Sequence, residues 1–301
     1  MGLSKKERIG VIGLGIMGGA MAEALLKAGY TVTGFDVVSG AKQRLKAAGG
    51  KALANSTRVL EASDVVLVSV ATSAALAQVA EQLCKAPKRP AGQRALVVET
   101  STLPIEDKQA FAAAIKRAGL DVMDCPISGT AVRMKDRALT MFVSGSKAAY
   151  KRVEPVLRVF TDNVPYVGAY GNGSKMKFAA NHLVAIYNVA CAESVNLARK
   201  MGLDPKDVLE LFGNSPVIGN GVMRLRVPFM IERSYTPATM KVEVWQKDMQ
   251  VIGDMAKSVD CPTPLFSACA PIYSAAMAQG LAQSDTASVS EVLARMAGIQ
   301  D

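Results

Sequence analysis

The feature that most constrains this chain is a glycine-rich turn close to its start. An apolar run predicts a strand over Ile9–Leu14, and the pattern after it predicts a helix from Gly18 to Ala28. Between the two lies the pattern GxGxxG, formed by Gly13-Leu14-Gly15-Ile16-Met17-Gly18. The pattern alone is a weak signal, but a strand before it and a helix after it are typical of a turn that binds a dinucleotide.

The three glycines have separate physical tasks in such a turn. Gly13 permits the tight bend, Gly15 leaves room for a pyrophosphate to approach the backbone, and Gly18 lets the helix pack against the strand. The N–H groups and partial positive charge of the helix N-terminus then attract the phosphates. The alternative is a glycine turn in some other α/β protein, with a capping aspartate nearby.

An acidic residue, Asp36, ends the second predicted strand. A carboxylate at this point can accept hydrogen bonds from the ribose hydroxyls of NAD, and it would repel the additional phosphate of NADP. The next residues, Val37-Val38-Ser39, include no arginine that could neutralise that phosphate. We therefore predict NAD as the cofactor, in preference to NADP.

Strand-like and helix-like segments alternate through the first part of the chain, and helices alone are predicted in the rest. The alternation predicts an α/β fold class with a parallel sheet covered on both faces. The last strand candidate is Val164–Val167, and apolar residues at 3–4 spacing predict one long helix over Lys175–Lys200. The boundary between two domains is therefore expected near residues 167–172.

Charge and cysteine content narrow the classes of function. The formal net charge of +9 fits a solvated basic surface or an attraction for anionic small molecules. The basic residues are scattered, without the interleaved aromatic residues of a stacking platform for nucleic acid. Five cysteines with no CxxC pair indicate neither a disulfide framework nor a zinc site. We interpret them as buried thiols of a protein in the reducing cytoplasm.

No targeting or membrane segment is predicted from the sequence. The apolar stretch Ile9–Met17 is too short and too glycine-rich for a signal peptide, and no apolar run approaches the ~20 residues of a membrane helix. Lys6 stands where a myristoylation motif has Ser or Thr. We expect a cytoplasmic protein without a membrane, nucleic-acid or metal partner.

Alcohol oxidation needs a base for the hydroxyl proton, and a lysine is the better candidate in this chain. The single histidine, His182, lies inside the long predicted helix, where packing is the usual role. Lys177 and Asn181 are four residues apart near the start of that helix, so they share a face beside the domain boundary, where a cleft is expected. On spacing alone, lysines near a helix start are more often surface residues.

Five segments, in order along nearly the whole chain, resemble the β-hydroxyacid dehydrogenase family, which includes 3-hydroxyisobutyrate dehydrogenase and tartronate semialdehyde reductase. The segments are Val11–Gly18, Glu99–Pro104, Asp124–Thr130, Gly171–Asn181 and Lys247–Asp248. The resemblance implies an NAD-binding Rossmann-type domain over residues 1–168. It also implies a long interdomain helix and an all-helical C-terminal domain over residues 169–301, for substrate binding and dimerisation.

The resemblance further implies a reaction and a set of site residues. The expected reaction interconverts a small anionic 3-hydroxy acid and its semialdehyde or keto acid, in a homodimer or homotetramer. Lys177 is the implied general acid/base, Ser128, Gly129, Thr130 and Asn181 line the substrate, and Thr102 and Lys247 border the nicotinamide.

Three residues depart from the family pattern around the substrate loop. Thr130 stands where the family usually has glycine, so it can narrow the pocket or add a hydroxyl that contacts a substrate oxygen. Met134 and Arg137 replace residues that tend to be Ala and Gly. They either pack elsewhere or, for Arg137, add positive charge that would suit a second anionic group.

Two other classes of function stay open from the sequence. One is an imine reductase on a related scaffold, whose members usually lack a lysine at the position of Lys177. The other is a non-catalytic regulator that binds a dinucleotide or nucleic acid, which only the net charge supports.

Overall fold

The computed structural model describes residues 8–88, 90 and 94–299. Two units divide the chain, Met1–Lys177 and Phe178–Asp301. The division into folding domains at residues 1–168 and 169–301 stays a prediction.

A six-stranded parallel sheet forms the centre of the first unit, in the strand order β3-β2-β1-β4-β5-β6. This order is the one known for dinucleotide-binding Rossmann sheets, and it confirms the predicted fold class. The strands are β1 Arg8–Ile12, β2 Thr31–Phe35, β3 Lys51–Ala52, β4 Val65–Val68, β5 Leu96–Glu99 and β6 Asp121–Asp124.

Helices cover both faces of this sheet, so its central strands are wholly buried. Along β4, Val65 and Leu67 pack into the core on one face, and Val66 and Val68 pack into the core on the other. Successive side chains of a strand point to opposite faces, which explains why a doubly covered strand reads as a continuous apolar run. The covering helices are α1 Ile16–Lys27, α2 Ser39–Ala47, α3 Ser56–Ala62, α4 Ser73–Cys84, α5 Ile105–Arg117 and, after the short helix α6 Ala131–Met134, α7 Lys147–Leu157.

A short antiparallel hairpin follows the sheet. Its strands are β7 Ile127–Ser128 and β8 Thr140–Met141. The prediction of a strand over Val164–Val167 is wrong, since the structure has only isolated bridges there, at Asn163 and Tyr166. Pro165 lies between them and has no N–H to donate, so a regular ladder cannot form.

The second unit is helical in the part of the chain that the structure describes, with one isolated bridge between Lys241 and Asp285. None of its described helices, nor any in the first unit, is long and apolar enough to cross a membrane. Helix α8 runs from Asn172 to Lys200 and therefore begins in the first unit. The later helices are α9 Pro205–Asp207, which continues as a π-helical turn over Val208–Phe212, α10 Gly221–Glu232, α11 Val242–Ser258, α12 Pro264–Ala278 and, after a 3₁₀ turn over Thr286–Ser288, α13 Val289–Met296.

Buried polar side chains tie the second unit together. Asn188 and Asn196 on α8 donate hydrogen bonds to the carbonyl oxygens of Thr286 and Ser290, at 2.8 and 2.9 Å. The carboxylate of Asp285 pairs with Arg226 of α10 and accepts a hydrogen bond from the N–H of Thr239 at 2.8 Å. Burial works to raise the pKa of Asp285, but Arg226 and these hydrogen bonds outweigh it, so the pKa is lowered from its ordinary value of 3.8.

We expect Asp285→Asn to lower the free energy of unfolding of the second unit by about 3–5 kcal/mol at neutral pH, because it leaves the buried Arg226 without its counter-ion. A lowered folded-state pKa stabilises the fold above the ordinary pKa, and this contribution is lost as the pH falls through the folded value. The difference between wild type and variant should therefore be smaller at an acidic pH below the ordinary value of 3.8 than at neutral pH. Urea unfolding followed through the fluorescence of the single tryptophan, Trp245, measures it, and an equal difference at both pH values would contradict the assignment.

Candidate active site

The glycine turn has the geometry that a dinucleotide requires. Gly13 has φ +85°, and a Cβ there would lie 2.0 Å from the carbonyl oxygen of Ser69. A Cβ on Gly18 would lie 1.8 Å from the carbonyl oxygen of Gly13, so the helix can approach the turn only with glycine. A Cβ on Gly15 would meet nothing within 4 Å, which leaves open space beside the backbone.

Helix α1 begins directly after this open position. Its N-cap residue is Gly15, and no side chain caps the first turn among the residues that the structure describes. The N–H groups of a helix's first turn have no partner within the helix. Leu14 lies in the turn, and Ile16 and Met17 lie in this first turn of α1, the kind of place at which a phosphate can bind.

Asp36 lies immediately beside the turn. Its Oδ2 accepts a hydrogen bond from the N–H of Leu14 at 2.6 Å, and its Oδ1 accepts one from the N–H of Val38 at 2.8 Å. The structure thus brings the predicted phosphate turn and the predicted ribose ligand together. Each carboxylate oxygen retains acceptor capacity for a further hydrogen bond.

The other predicted residues of the first unit follow the carboxyl ends of β5 and β6 or lie near the start of α8. Thr102 lies in the loop after β5, and Ser128 ends β7. Gly129 has φ +130°, and a Cβ there would lie 2.8 Å from the Cβ of Leu139, so a side chain would strain this loop. Lys177 lies in the second turn of α8 and is only 7% exposed. Its burial argues against the solvated surface lysine that spacing alone left open.

A buried ion cluster joins these segments. Lys108 of α5 lies 2.7 Å from Asp124 Oδ1, and its Nζ donates a hydrogen bond to the carbonyl oxygen of Ser101 at 2.8 Å. It also lies 2.6 Å from Glu99 Oε2, in an ion pair that lacks the alignment of a hydrogen bond. All three charged side chains are 0% exposed. Burial alone would lower the pKa of Lys108, but the two carboxylates outweigh it and the pKa is raised.

Asp124 also holds the first turn of α8. Its Oδ2 accepts a hydrogen bond from the N–H of Ser174 at 2.8 Å, and its Oδ1 accepts one from the Ser174 hydroxyl at 2.8 Å. The hydroxyl of Ser144 accepts a hydrogen bond from the N–H of Gly173 at 2.9 Å. Two first-turn N–H groups therefore have partners outside the helix, which a helix beginning in a buried place requires.

The remaining predicted residues lie in the second unit and meet at Asp248. The amide of Asn181 donates a hydrogen bond to Asp248 Oδ2 at 2.9 Å, and Lys247 Nζ lies 2.9 Å from Asp248 Oδ1. Asn181 and Asp248 are both buried. Because its nitrogen faces Asp248, Asn181 presents its amide oxygen on the other side.

The residues that depart from the family pattern have different surroundings. The Thr130 hydroxyl is buried and has no hydrogen-bond partner among the described residues. Met134 is buried in the core on one face of the sheet. Arg137 has φ +55°, which explains why a glycine suits this position, and its guanidinium pairs with Asp162 at 2.6 Å. The charge of Arg137 is therefore engaged by that carboxylate.

The histidine and the cysteines have no part in these clusters. His182 stacks on Phe266 with ring centroids 5.2 Å apart, as expected of a packing residue. Cys125, Cys191 and Cys269 are buried, but Cys84 and Cys261 are exposed, so the expectation of five buried thiols is wrong for these two. Both lie in or beside element ends, at the C-terminus of α4 and after α11, where the chain returns to the surface.

The sequence interpretation did not assign roles to Glu99, Lys108, Asp124 or Asp248. A signal for the first three was present, since Glu99 and Asp124 are charged residues that directly follow buried apolar residues at the carboxyl ends of their strands. Lys108 falls in the buried stripe of α5, between Ile105 and Phe111. A charge at a core position of a helix predicts a buried partner.

Comparison with known proteins agrees with this geometry. Residues 8–168 match the family model described as the NAD-binding domain of 6-phosphogluconate dehydrogenase. Residues 171–293 match the model described as the NAD-binding domain of NADP-dependent 3-hydroxyisobutyrate dehydrogenase. The L-threonate dehydrogenase of Cupriavidus necator is 32% identical over 290 residues, which cover 95% of this chain and 96% of that protein. The chain belongs to the β-hydroxyacid dehydrogenase family.

Solved structures resemble this β-hydroxyacid dehydrogenase over nearly its whole length. A 3-hydroxyisobutyrate dehydrogenase from Salmonella typhimurium has 27% identity and a TM-score of 0.82, covering 95% of this chain and 100% of that one. The 3-hydroxyisobutyrate dehydrogenase of Mycobacterium tuberculosis, solved with L-serine, has 25% identity and a TM-score of 0.85, covering 96% and 99%. The predicted family and the predicted NAD(P)-dependent dehydrogenase activity on hydroxyl donors are thereby confirmed.

A dinucleotide fits the residues present in this dehydrogenase. Close backbone contacts require glycine at positions 13 and 18. At Gly15 the protein itself would leave room for a side chain, so packing does not explain the glycine there. The glycine turn and the start of α1 would hold the pyrophosphate, and Asp36 would hold the adenosine ribose.

We predict that Gly15→Ala weakens NADH binding at least tenfold while leaving the melting temperature unchanged. The new methyl group meets no protein atom within 4 Å, but it occupies the space through which the pyrophosphate approaches. Fluorescence titration with NADH and a thermal melt measure the two effects.

Gly40→Ala in α2 is the matched control, because its Cβ also has room, with Arg44 Nη1 nearest at 3.8 Å. This variant should keep the NADH affinity, and its melting temperature should not fall, because alanine is the better helix former. Unchanged NADH affinity in Gly15→Ala would show that the dinucleotide does not approach this turn.

Proposed function

We propose that this dehydrogenase interconverts a small 3-hydroxy acid and its semialdehyde or keto acid, with Lys177 as the general acid/base. The observation that carries the proposal is the buried lysine in the second turn of α8, whose first turn is hydrogen-bonded to Asp124 at the end of the sheet. An amine in such surroundings can exchange a proton without being solvated as a surface lysine is.

In the oxidation, the neutral amine of Lys177 takes the proton of the substrate hydroxyl as the carbon–oxygen double bond forms. The C–H bond on the same carbon breaks, and its hydrogen leaves with both electrons. A bound nicotinamide would supply the two-electron acceptor for that hydride. In the reverse reaction, the Lys177 ammonium returns the proton to the carbonyl oxygen.

The remaining residues would orient the substrate. The Ser128–Gly129 loop would bind the carboxylate through the Ser128 hydroxyl and backbone N–H groups, and the positive φ of Gly129 gives the loop a conformation that other residues rarely adopt. Asn181 would contact the substrate, oriented by its bond to Asp248. Thr102 and Lys247 would border the nicotinamide. Fixing the reacting atoms in this way is itself a large part of catalysis.

Thr130 would select among hydroxy acids. Its buried hydroxyl has no partner among the described residues, and such a group costs roughly 1–3 kcal/mol unless it is satisfied. A substrate with an additional oxygen near the carboxylate would supply that partner. We therefore place polyhydroxy acids such as threonate and glycerate ahead of 3-hydroxyisobutyrate.

Purified protein should reduce NAD with at least one acid from a panel of 3-hydroxyisobutyrate, serine, glycerate and threonate. Lys177→Met should lower kcat by about 10²–10⁴-fold, the range for loss of a general acid/base, while NADH binding stays nearly intact. Steady-state kinetics and fluorescence titration measure the two quantities.

Lys175→Met is the matched control, because Lys175 lies two residues before Lys177 on α8 but is exposed. It should keep wild-type kcat. If Lys177→Met retains wild-type turnover, or loses NADH affinity as much as turnover, the proposed role of Lys177 is wrong.

We also propose NAD as the preferred cofactor, although one matching family model is described by an NADP-dependent enzyme. The support is the carboxylate of Asp36 beside the phosphate turn, since the additional 2′-phosphate of NADP at ~4 Å would be repelled by about 1–4 kcal/mol. The wild type should therefore have the higher kcat/KM with NAD.

Asp36→Asn keeps the size of the side chain and removes its charge, so the ratio of kcat/KM for NAD over NADP should fall about tenfold. Asp121→Asn, at the opposite end of β6 from the site, is the control and should leave the ratio unchanged. A wild type that prefers NADP would contradict the role given to Asp36.

A homodimer or homotetramer is the proposed assembly. Helix α8 exposes Met176, Leu183, Tyr187 and Leu197 by 37–60%, and their spacing places them on one stripe of the helix. A second copy of the chain would cover such a stripe. Sedimentation velocity tests this, and a stable monomer would contradict it. A cytoplasmic location stays a prediction.

A further inference from the structure

One buried side chain contacts both Ser174 in the first turn of α8 and Lys108, the cation that also binds the loop after β5. That side chain is Asp124. We propose that Asp124, held by Lys108, is a positioning residue that fixes Lys177 relative to the substrate loop and the nicotinamide segment. The proposal rests on the proposed function, since it assumes that Lys177 exchanges the proton.

The first step is the contact with α8. Ser174 gives Asp124 both its N–H and its hydroxyl, and Gly173 gives its N–H to Ser144. A hydrogen bond from a helix's first-turn N–H to an ionised acceptor is stronger than one between neutral groups, and the helix dipole adds to it. These hydrogen bonds fix the position of the first turn along the helix axis and its rotation about that axis.

The second step leads from that turn to the amine. Gly173 and Ser174 precede Lys177 by four and three residues, so all three lie on the same side of α8. A Cβ on Gly173 would lie 2.4 Å from the carbonyl oxygen of Phe142, so the helix start is also closely packed. A shift of this turn therefore moves Lys177 by a similar amount.

The third step connects the other two segments of the site. Lys108 forms an ion pair with Asp124. It also donates a hydrogen bond to the carbonyl oxygen of Ser101, the residue directly before Thr102. Asp124 is itself the first residue of the segment that leads to Ser128 and Gly129. One ammonium group thus connects the proposed nicotinamide segment, the proposed carboxylate loop and the helix of the proposed acid/base.

A role in stability alone does not account for this arrangement. A buried ion cluster is weak evidence for stability, because apolar residues of similar size often stabilise a fold as well or better. What the charges add is a fixed geometry, and a displacement of about 1 Å at a reacting centre can lower a rate by about 10²-fold.

Single hydroxyl deletions test the proposal with the least disturbance. Lys108→Met would leave two buried carboxylates without a cation and is expected to unfold the chain. Ser174→Ala removes the hydroxyl that donates to Asp124. Ser144→Ala removes the acceptor of the Gly173 N–H together with a hydroxyl that donates to Asp124, and both variants leave the charges in place. Ser146→Ala is the matched control, because its hydroxyl accepts a hydrogen bond from the first-turn N–H of Ala149 at 3.1 Å and so serves the start of α7 instead of the start of α8.

We expect Ser144→Ala and Ser174→Ala to lower kcat by about 10–100-fold while KM for the acid and the NADH dissociation constant stay near wild type. The pH profile of kcat should keep its shape, because these variants change the position of Lys177 but remove no charged group. Hydrogen exchange of the peptide containing residues 172–178 should become faster in these variants. Ser146→Ala should change neither kcat nor exchange of that peptide, although its melting temperature falls by a similar amount.

Two results would overturn the proposal. One is a kcat in Ser144→Ala and Ser174→Ala equal to that of Ser146→Ala, with Lys177→Met inactive, which would leave the proposed function intact and give Asp124 a structural role only. The other is full turnover in Lys177→Met, in which case the proposed function fails and the positioning of Lys177 has no catalytic meaning.

Discussion

The ion cluster of Lys108, Glu99 and Asp124 is the constraint on which the arrangement of the first unit's candidate site depends. It lies at the carboxyl edge of β5 and β6, where the chain leaves a fully buried sheet. The ammonium of Lys108 forms ion pairs with one oxygen each of Glu99 and Asp124, and it donates a hydrogen bond to the carbonyl oxygen of Ser101. Because the three segments approach the same cation, none of them can move without exposing a charge to an apolar interior.

The cluster also explains how a helix can begin in a buried place. Asp124 brings a second negative charge beside a single lysine, and the positive end of α8 supplies part of the compensation. The same bonds satisfy N–H groups that would otherwise be buried without partners. Asp248 has a comparable part in the second unit, where one carboxylate orients both Asn181 and Lys247. In both units an ionised group that faces inward fixes the polar residues around it.

Much of this fold could be predicted from the sequence, because a doubly covered parallel strand leaves a continuous apolar run and a phosphate turn leaves a glycine pattern. The glycine turn and Asp36 lie together as expected, since both depend on local geometry. The ion cluster was not assigned because Lys108 and Asp124 are distant in sequence, and a charged residue on a helix is usually solvated. The prediction of a strand over Val164–Val167 was wrong because Pro165 has no backbone N–H to donate. The apolar pattern used for the prediction does not take this local effect into account.

The central claim is that the amine of Lys177 exchanges a proton with a substrate hydroxyl while the Ser128–Gly129 loop holds the substrate carboxylate. A crystal structure of the complex with the dinucleotide and a turned-over hydroxy acid measures this most directly. We predict a separation of about 2.6–3.2 Å between Lys177 Nζ and the hydroxyl oxygen, with the carboxylate within hydrogen-bond distance of Ser128. A substrate bound with its hydroxyl on another group, and with the Lys177 amine out of reach of it, would contradict the account.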